Sequence, residues 1–147
     1  MELMLIKEVL IMYKKIMAAV DGSETAKQAL MEAMNIANTY NAALCIVHCL
    51  NGNTDADKKA GTQILEEAES CLSALSVETR LLEAEIEYGS NGVAEAIAAA
   101  AANWGADLLV VGTANRRGLE RFLMGSVAEQ LVAKIESSIL LVRPPKG

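Results

Sequence analysis

"DLLVVGTANRRGLERFLMGSVAEQLVAKIESSILLVRPP", residues 107–145, holds a whole strand–helix–strand unit. DLLVVG is a continuous apolar run that stops at Gly112, the pattern of a strand buried on both faces. A polar segment with the adjacent pair Arg116 and Arg117 follows, and Gly125 and Ser126 then open a helical pattern that runs to Ile135. SSILLVR is apolar again, and Pro144 and Pro145 end it because neither can donate to a ladder. Two buried strands joined through a helix are the signature of a parallel crossover.

The same alternation continues upstream. KIMAAVD (15–21) reads as a buried strand that meets an Asp-Gly-Ser turn. Over 24–40, Ala26, Leu30, Ala33, Met34 and Ala37 recur at spacings of three and four and form one helical stripe. AALCIVHCL (42–50) is a second buried strand, and NGNTDAD is a polar loop. Over 58–75 a further helix places Ile64, Leu65, Ala68, Leu72 and Leu75 on one face. VETRLLEAEIEYG (77–89) suits a half-exposed edge strand through Val77, Leu81, Ala84, Ile86 and Tyr88, and 91–104 is an alanine-rich helix. Five strands alternating with four helices predict an α/β fold, an open five-stranded parallel sheet with helices on both faces. There is no internal repeat and no linker. Ligands of such sheets bind beyond the carboxyl ends of the strands. Here those ends carry Asp21-Gly22-Ser23, Cys49-Leu50, Tyr88-Gly89 and the segment from Gly112 onward.

The chain has 147 residues, of which 52% are hydrophobic and only 3% aromatic, so one core must be built from Ala, Leu, Ile, Val and Met. A formal net charge of −6 argues against nucleic acid as a partner, since that binding rests on a basic surface. Cys45, Cys49 and Cys71 are an odd set without a secretory signal, which points to free thiols in the cytoplasm. The opening MELMLIKEVLI is interrupted by Glu2, Lys7 and Glu8 and is too short to span a bilayer, so no membrane partner is expected. Residues 1–11 read as an N-terminal extension and 12–147 as the domain.

Several chemistries fail on spacing. On one strand Cys45 and Cys49 share a face while His48 points to the other, so the three cannot meet at one ion. At strand rise the two thiols sit about 13 Å apart, too far for a disulfide. No Gly-x-Ser-x-Gly elbow accompanies the single histidine, and no Gly-x-Gly-x-x-Gly or Gly-x4-Gly-Lys-Ser/Thr occurs. Asp21 lacks the acidic neighbour and the later Asp of a phosphate-receiving domain. It makes a turn with Gly22 and Ser23 and is a candidate cap of the next helix. Gly112 lets the backbone approach a ligand without a Cβ in the way. Ser126-Val127-Ala128-Glu129 fits the Ser-x-x-Glu capping box, and a helix start also welcomes anions. A capped helix after an ordinary loop and a phosphate cradle are both compatible with these residues.

Gly112-x-x-Asn115, nine further residues, then Gly125-Ser126 resembles the Gly-x-x-Gly-x9-Gly-Ser/Thr signature of the universal stress protein family. YKKIMAAVDGSETA, ADLLVVG and LLVRPP fit that family as well, so the resemblance runs from Met12 to Pro144. It implies an adenine nucleotide alpha hydrolase-like sheet of strand order 3-2-1-4-5. In the nucleotide-binding branch it also implies ATP, with or without Mg²⁺, laid across the carboxyl edge. Asp21 would then stand at the ribose end with Ala19 and Val20 lining the site, and the backbone around Cys49 would face adenine. Gly112, Thr113, Asn115, Arg116, Gly125, Ser126 and Val127 would surround ribose and phosphates. Two positions depart from the family: Asn115 replaces its second glycine, and Val93 stands where proline precedes the third helix. Asn is the non-glycine residue that most readily accepts a left-handed backbone. The resemblance further implies a homodimer through the last strand, from Ser138 to Arg143, whose apolar edge would otherwise be open. The expected role is a stress-response sensor or switch, with no catalytic or metal-binding residue assigned. The alternatives are a stress protein without nucleotide that acts through its dimer and partner surfaces, and a slow ATPase or phosphorylation-regulated protein.

Overall fold

β1 (Lys15–Ala19) lies at the centre of a parallel sheet, between β2 (Ala43–Leu50) and β4 (Leu108–Gly112). β3 (Val77–Glu83) extends the sheet beyond β2 and β5 (Ser138–Val142) extends it beyond β4, which gives the order β3-β2-β1-β4-β5. The computed structural model describes residues 13–50, 52–72, 76–85, 88–113 and 125–144. The N-terminal extension at 1–11 and the segment with Asn115, Arg116 and Arg117 lie outside these residues.

Period-two alternation sends the two sets of strand side chains into separate cores. Ile16, Ala18, Leu44, Ile46, Leu108 and Val110 pack with α1 (Glu24–Tyr40) and α2 (Asp55–Ser70). Met17, Cys45, Val47, Leu109 and Val111 pack with α3 (Gly89–Trp104) and α4 (Ser126–Lys134) on the opposite face. Ile16, Leu44, Ile46 and Leu109 are fully buried, each worth roughly 1.5–3 kcal/mol. The expected stripe on α1 is present, with Ala26, Leu30, Ala33 and Ala37 buried and Met34 at its margin. Fully buried Ala29, Ala33 and Ala37 let that helix lie close on the sheet.

Boundaries differ where caps decide them. α2 begins at Asp55, inside the segment expected to be a loop, because Thr54 and Asp57 form a reciprocal capping box. The Asp57 amide donates to Thr54 Oγ1 at 3.1 Å, and the Thr54 amide donates to Asp57 Oδ2 at 3.2 Å. That helix ends at Ser70, and Leu75 lies outside the described residues. β3 stops at Glu83, so Tyr88 and Gly89 belong to the start of α3 rather than to a strand end. Among the described residues no helix is long and apolar enough to cross a membrane.

Thr54→Ala removes the acceptor at the start of α2 and leaves its first amides without a cap. It is expected to cost about 1 kcal/mol, read as a lower urea midpoint at unchanged m-value.

Candidate functional site

β1 and β4 stand side by side, yet the chain leaves β1 toward α1 on one face and leaves β4 toward α4 on the other. Such a divergence opens a crevice at the carboxyl ends of the two strands. A cavity of about 410 Å³ occupies it, within the ~300–1,000 Å³ range of small-molecule sites.

Seven of the residues expected at a site line this cavity. Ala19, Val20 and Asp21 come from the end of β1, Cys49 from β2, Gly112 and Thr113 from β4, and Val127 from α4. Gly125 and Ser126 start the helix that carries Val127 and Ala128 into the wall, while Asn115 and Arg116 lie outside the described residues. The wall also contains Ser23 and Gly89, which were expected at the carboxyl edge, and His48, Val93 and Ile97, which were not assigned to a site. The last two come from the alanine-rich helix, whose apolar spacing looks the same whether it meets a sheet or a ligand.

The β1–α1 turn is built by its own side chains. Asp21 Oδ1 accepts the Ser23 amide at 2.9 Å, Gly22 takes φ 85°, and Ser23 Oγ accepts the Ala26 amide at 3.1 Å. Ser23, not Asp21, is therefore the helix cap, and the carboxylate closes the turn from an exposed position at the mouth of the cavity. The next strand contributes backbone. β1 ends at Ala19 opposite Val47, whereas β2 continues to Leu50, so Cys49 carries its peptide groups past the end of β1.

Gly112 has a second physical reason beside the one expected. A Cβ there would lie 2.8 Å from Thr25 Cγ2 and 3.0 Å from the carbonyl carbon and oxygen of Thr25. The glycine lets the first turn of α1 close against the end of β4, and Thr25 beneath it is fully buried. A threonine inside a helical stripe carries no mark of this contact in the sequence.

The start of α4 also differs from expectation. Gly125 is the cap residue at φ −65°, ψ 153°, and its carbonyl accepts the Glu129 amide at 2.9 Å. Ser126 is thus the first helical residue, and the Ser-x-x-Glu box does not form, because its serine stands one position too late. No side chain caps α4, and none caps α3 at Tyr88, whereas Ser23 and Thr54 cap α1 and α2. The two helix starts without a side-chain cap among the described residues are those on the face of the cavity, and each carries the partial positive charge of a helix start.

Cys45 and Cys49 point into the core on the α3–α4 side, while His48 Nδ1 donates to Val20 O at 2.7 Å. The three side chains diverge, as the strand geometry requires. Burial pushes the Cys45 thiol up to about 11, with Glu78 adding to the rise and Arg80 opposing it, and burial also raises Cys49. Both thiols stay protonated at neutral pH, and the described wall offers apolar surface, peptide groups and the Asp21 carboxylate.

A sequence model of the universal stress protein family matches residues 12–143. A universal stress protein of Methanocaldococcus jannaschii is 29% identical over 152 residues, 92% of this chain and 85% of its own. A universal stress protein crystallised in complex with cAMP shares the fold at TM-score 0.72 and 24% identity, over 91% of this chain and 99% of that one. The Archaeoglobus fulgidus universal stress protein in complex with dAMP matches at TM-score 0.72 and 25% identity, over 90% and 99%.

Two outcomes test this geometry. Gly112→Ala drives a methyl into the Thr25 backbone and should destabilise the fold by about 1–3 kcal/mol, measured by urea unfolding without ligand. At pH 8, iodoacetamide should modify exposed Cys71 first, with Cys45 and Cys49 following only as the chain unfolds, which intact-mass spectrometry resolves.

Proposed function

The chain belongs to the universal stress protein family, and from that premise we propose that it binds ATP or a related adenine nucleotide at the carboxyl edge of its sheet. The reading rests on one observation. Cys49, Asp21 and Val127 from the first turn of α4, whose start has no side-chain cap, line a single cavity. Adenine meets the Cys49 peptide groups, ribose hydroxyls donate to Asp21, and phosphate sits on the free amides of the first turn of α4. The cAMP and dAMP complexes of its structural neighbours support this class of ligand.

Nucleotide binding makes the protein a stress-response sensor or switch in the cytoplasm. Two copies associate through β5, whose outer edge has no partner strand among the described residues. Residues 138–143 then pair antiparallel across a two-fold axis.

Calorimetry on nucleotide-free protein with ATP, ADP, AMP, cAMP and GTP, each with and without Mg²⁺, checks the proposal. Saturable adenine-nucleotide binding is expected, and its absence at millimolar ligand would select the alternative that acts through surfaces alone. Gly125→Val should lower affinity by more than about tenfold. The fold should survive, because φ −65° and ψ 153° suit a β-branched residue. Asn115→Gly should bind equally or more tightly. Phosphate release should stay well below the ~1 s⁻¹ of ordinary enzymes, and faster turnover would favour the ATPase reading.

A further inference from the structure

His48 enters none of the chemistry above, yet its imidazole occupies a decisive place in the ladder between β1 and β2. Amides of β2 alternate in direction. That of Ala43 donates to Lys14 O at 2.9 Å, on the β1 side, and that of Leu44 donates to Ser76 O at 3.2 Å, on the β3 side. Odd-numbered residues of β2 therefore address β1. The last rung of this alternation is the Val20 amide to Val47 O at 2.9 Å. The next rung of a regular parallel ladder would run from the Cys49 amide to the Val20 carbonyl.

That rung is absent from the described residues, and the Val20 carbonyl instead accepts His48 Nδ1 at 2.7 Å. A carbonyl only accepts, so Nδ1 carries the proton in this contact. The ring is held from its other side by α2. A Cβ on Gly61 would lie 3.1 Å from His48 Cδ2, so the helix approaches the imidazole closely at a position without a side chain. Val20, His48 and Cys49 all line the cavity.

We propose that His48 is a positioning residue: by drawing the Val20 carbonyl out of the ladder, it keeps the Cys49 amide unpaired and available to a ligand in the cavity. The role rests on the nucleotide reading for its ligand, but not for its geometry. An unpaired donor at the rim of an apolar cavity is costly to bury, and a nucleobase acceptor satisfies it. With the imidazole gone, the Val20 carbonyl is left to the Cys49 amide, and the ladder closes by one rung over the edge that the base would use.

The test compares His48→Phe and His48→Leu, which lack the donor, with His48→Gln, which restores one. Amide hydrogen exchange of the nucleotide-free protein is read by NMR. Cys49 should exchange faster than the ladder amides of β2 in the wild type and become protected in both donor-less variants, while His48→Gln stays near wild type. A merely structural histidine would give the opposite sign, with exchange faster or unchanged at Cys49 in all three, and that outcome overturns the proposal. Adenine-nucleotide affinity should fall about tenfold in His48→Phe and His48→Leu, the worth of one buried hydrogen bond, and recover in His48→Gln. If the wild type binds no nucleotide, the functional reading fails while the exchange comparison still decides the role of His48. If Cys49 becomes protected but affinity holds, the base does not use that amide and the positioning role is overturned.

Discussion

The site depends on β1 ending early. Its last paired residue, Ala19, faces Val47 and Val111, while β2 runs three residues further and β4 one. Had β1 continued to the level of Leu50, it would have filled the crevice with further ladder hydrogen bonds and covered the Cys49 backbone. The Asp21-Gly22-Ser23 turn enforces the stop. Gly22 at φ 85° breaks the extended path, and the Asp21 carboxylate holds the turn through the Ser23 amide. Gly112 provides the matching constraint on the other side by letting Thr25 close over the end of β4.

From that stop follows an asymmetry between the two faces of the sheet. α1 and α2 satisfy their starts with Ser23 and Thr54, as structural helices do, and they cover the other core of the sheet. α3 and α4 leave their starts without side-chain caps and meet beside the cavity. A helix start without a cap forgoes about 1 kcal/mol of local stability. The fold recovers this through burial, since Ala94, Ile97, Ala128 and Leu131 of these helices are all buried against the sheet. This face is thus held by packing together with the Lys134–Glu95 ion pair at 2.6 Å, which joins α4 to α3.

These features were unevenly legible in the sequence. The strands could be read because full burial on both faces demands continuous apolar runs, as in AALCIVHCL and DLLVVG. The strand order came with the family resemblance rather than from spacing, and the sheet has that order. Helix starts were harder. An Asp at the third position of α2 completes a capping box as well as the expected Glu does, and the Ser-x-x-Glu after Gly125 forms none because the glycine takes the cap. Seven expected site residues line one cavity because strand ends are marked by the turn residues that follow them. The contact made by His48 escaped notice for a different reason. Its residue type suggests metal or base catalysis, whereas its role arises from a backbone carbonyl 28 residues away that only the paired strands bring within reach.

An acidic chain can still hold an anion at such a site, because the relevant charges are local. The net charge of −6 is spread over the molecular surface, where at physiological salt it is screened beyond about 8 Å. Acidic residues crowd α2, as Glu66, Glu67 and Glu69, on the face away from α4. At the cavity, Asp21 comes from the turn after β1, while Val127 comes from the first turn of α4. A ligand with a neutral, hydroxyl-bearing part and a negative part therefore has one orientation that sets its hydroxyls against the carboxylate and its charge against the helix amides. The reversed orientation puts two negative groups together and leaves the helix start unpaired. Under the proposed nucleotide reading, the separation of Asp21 from that helix start sets the direction in which the ligand would lie.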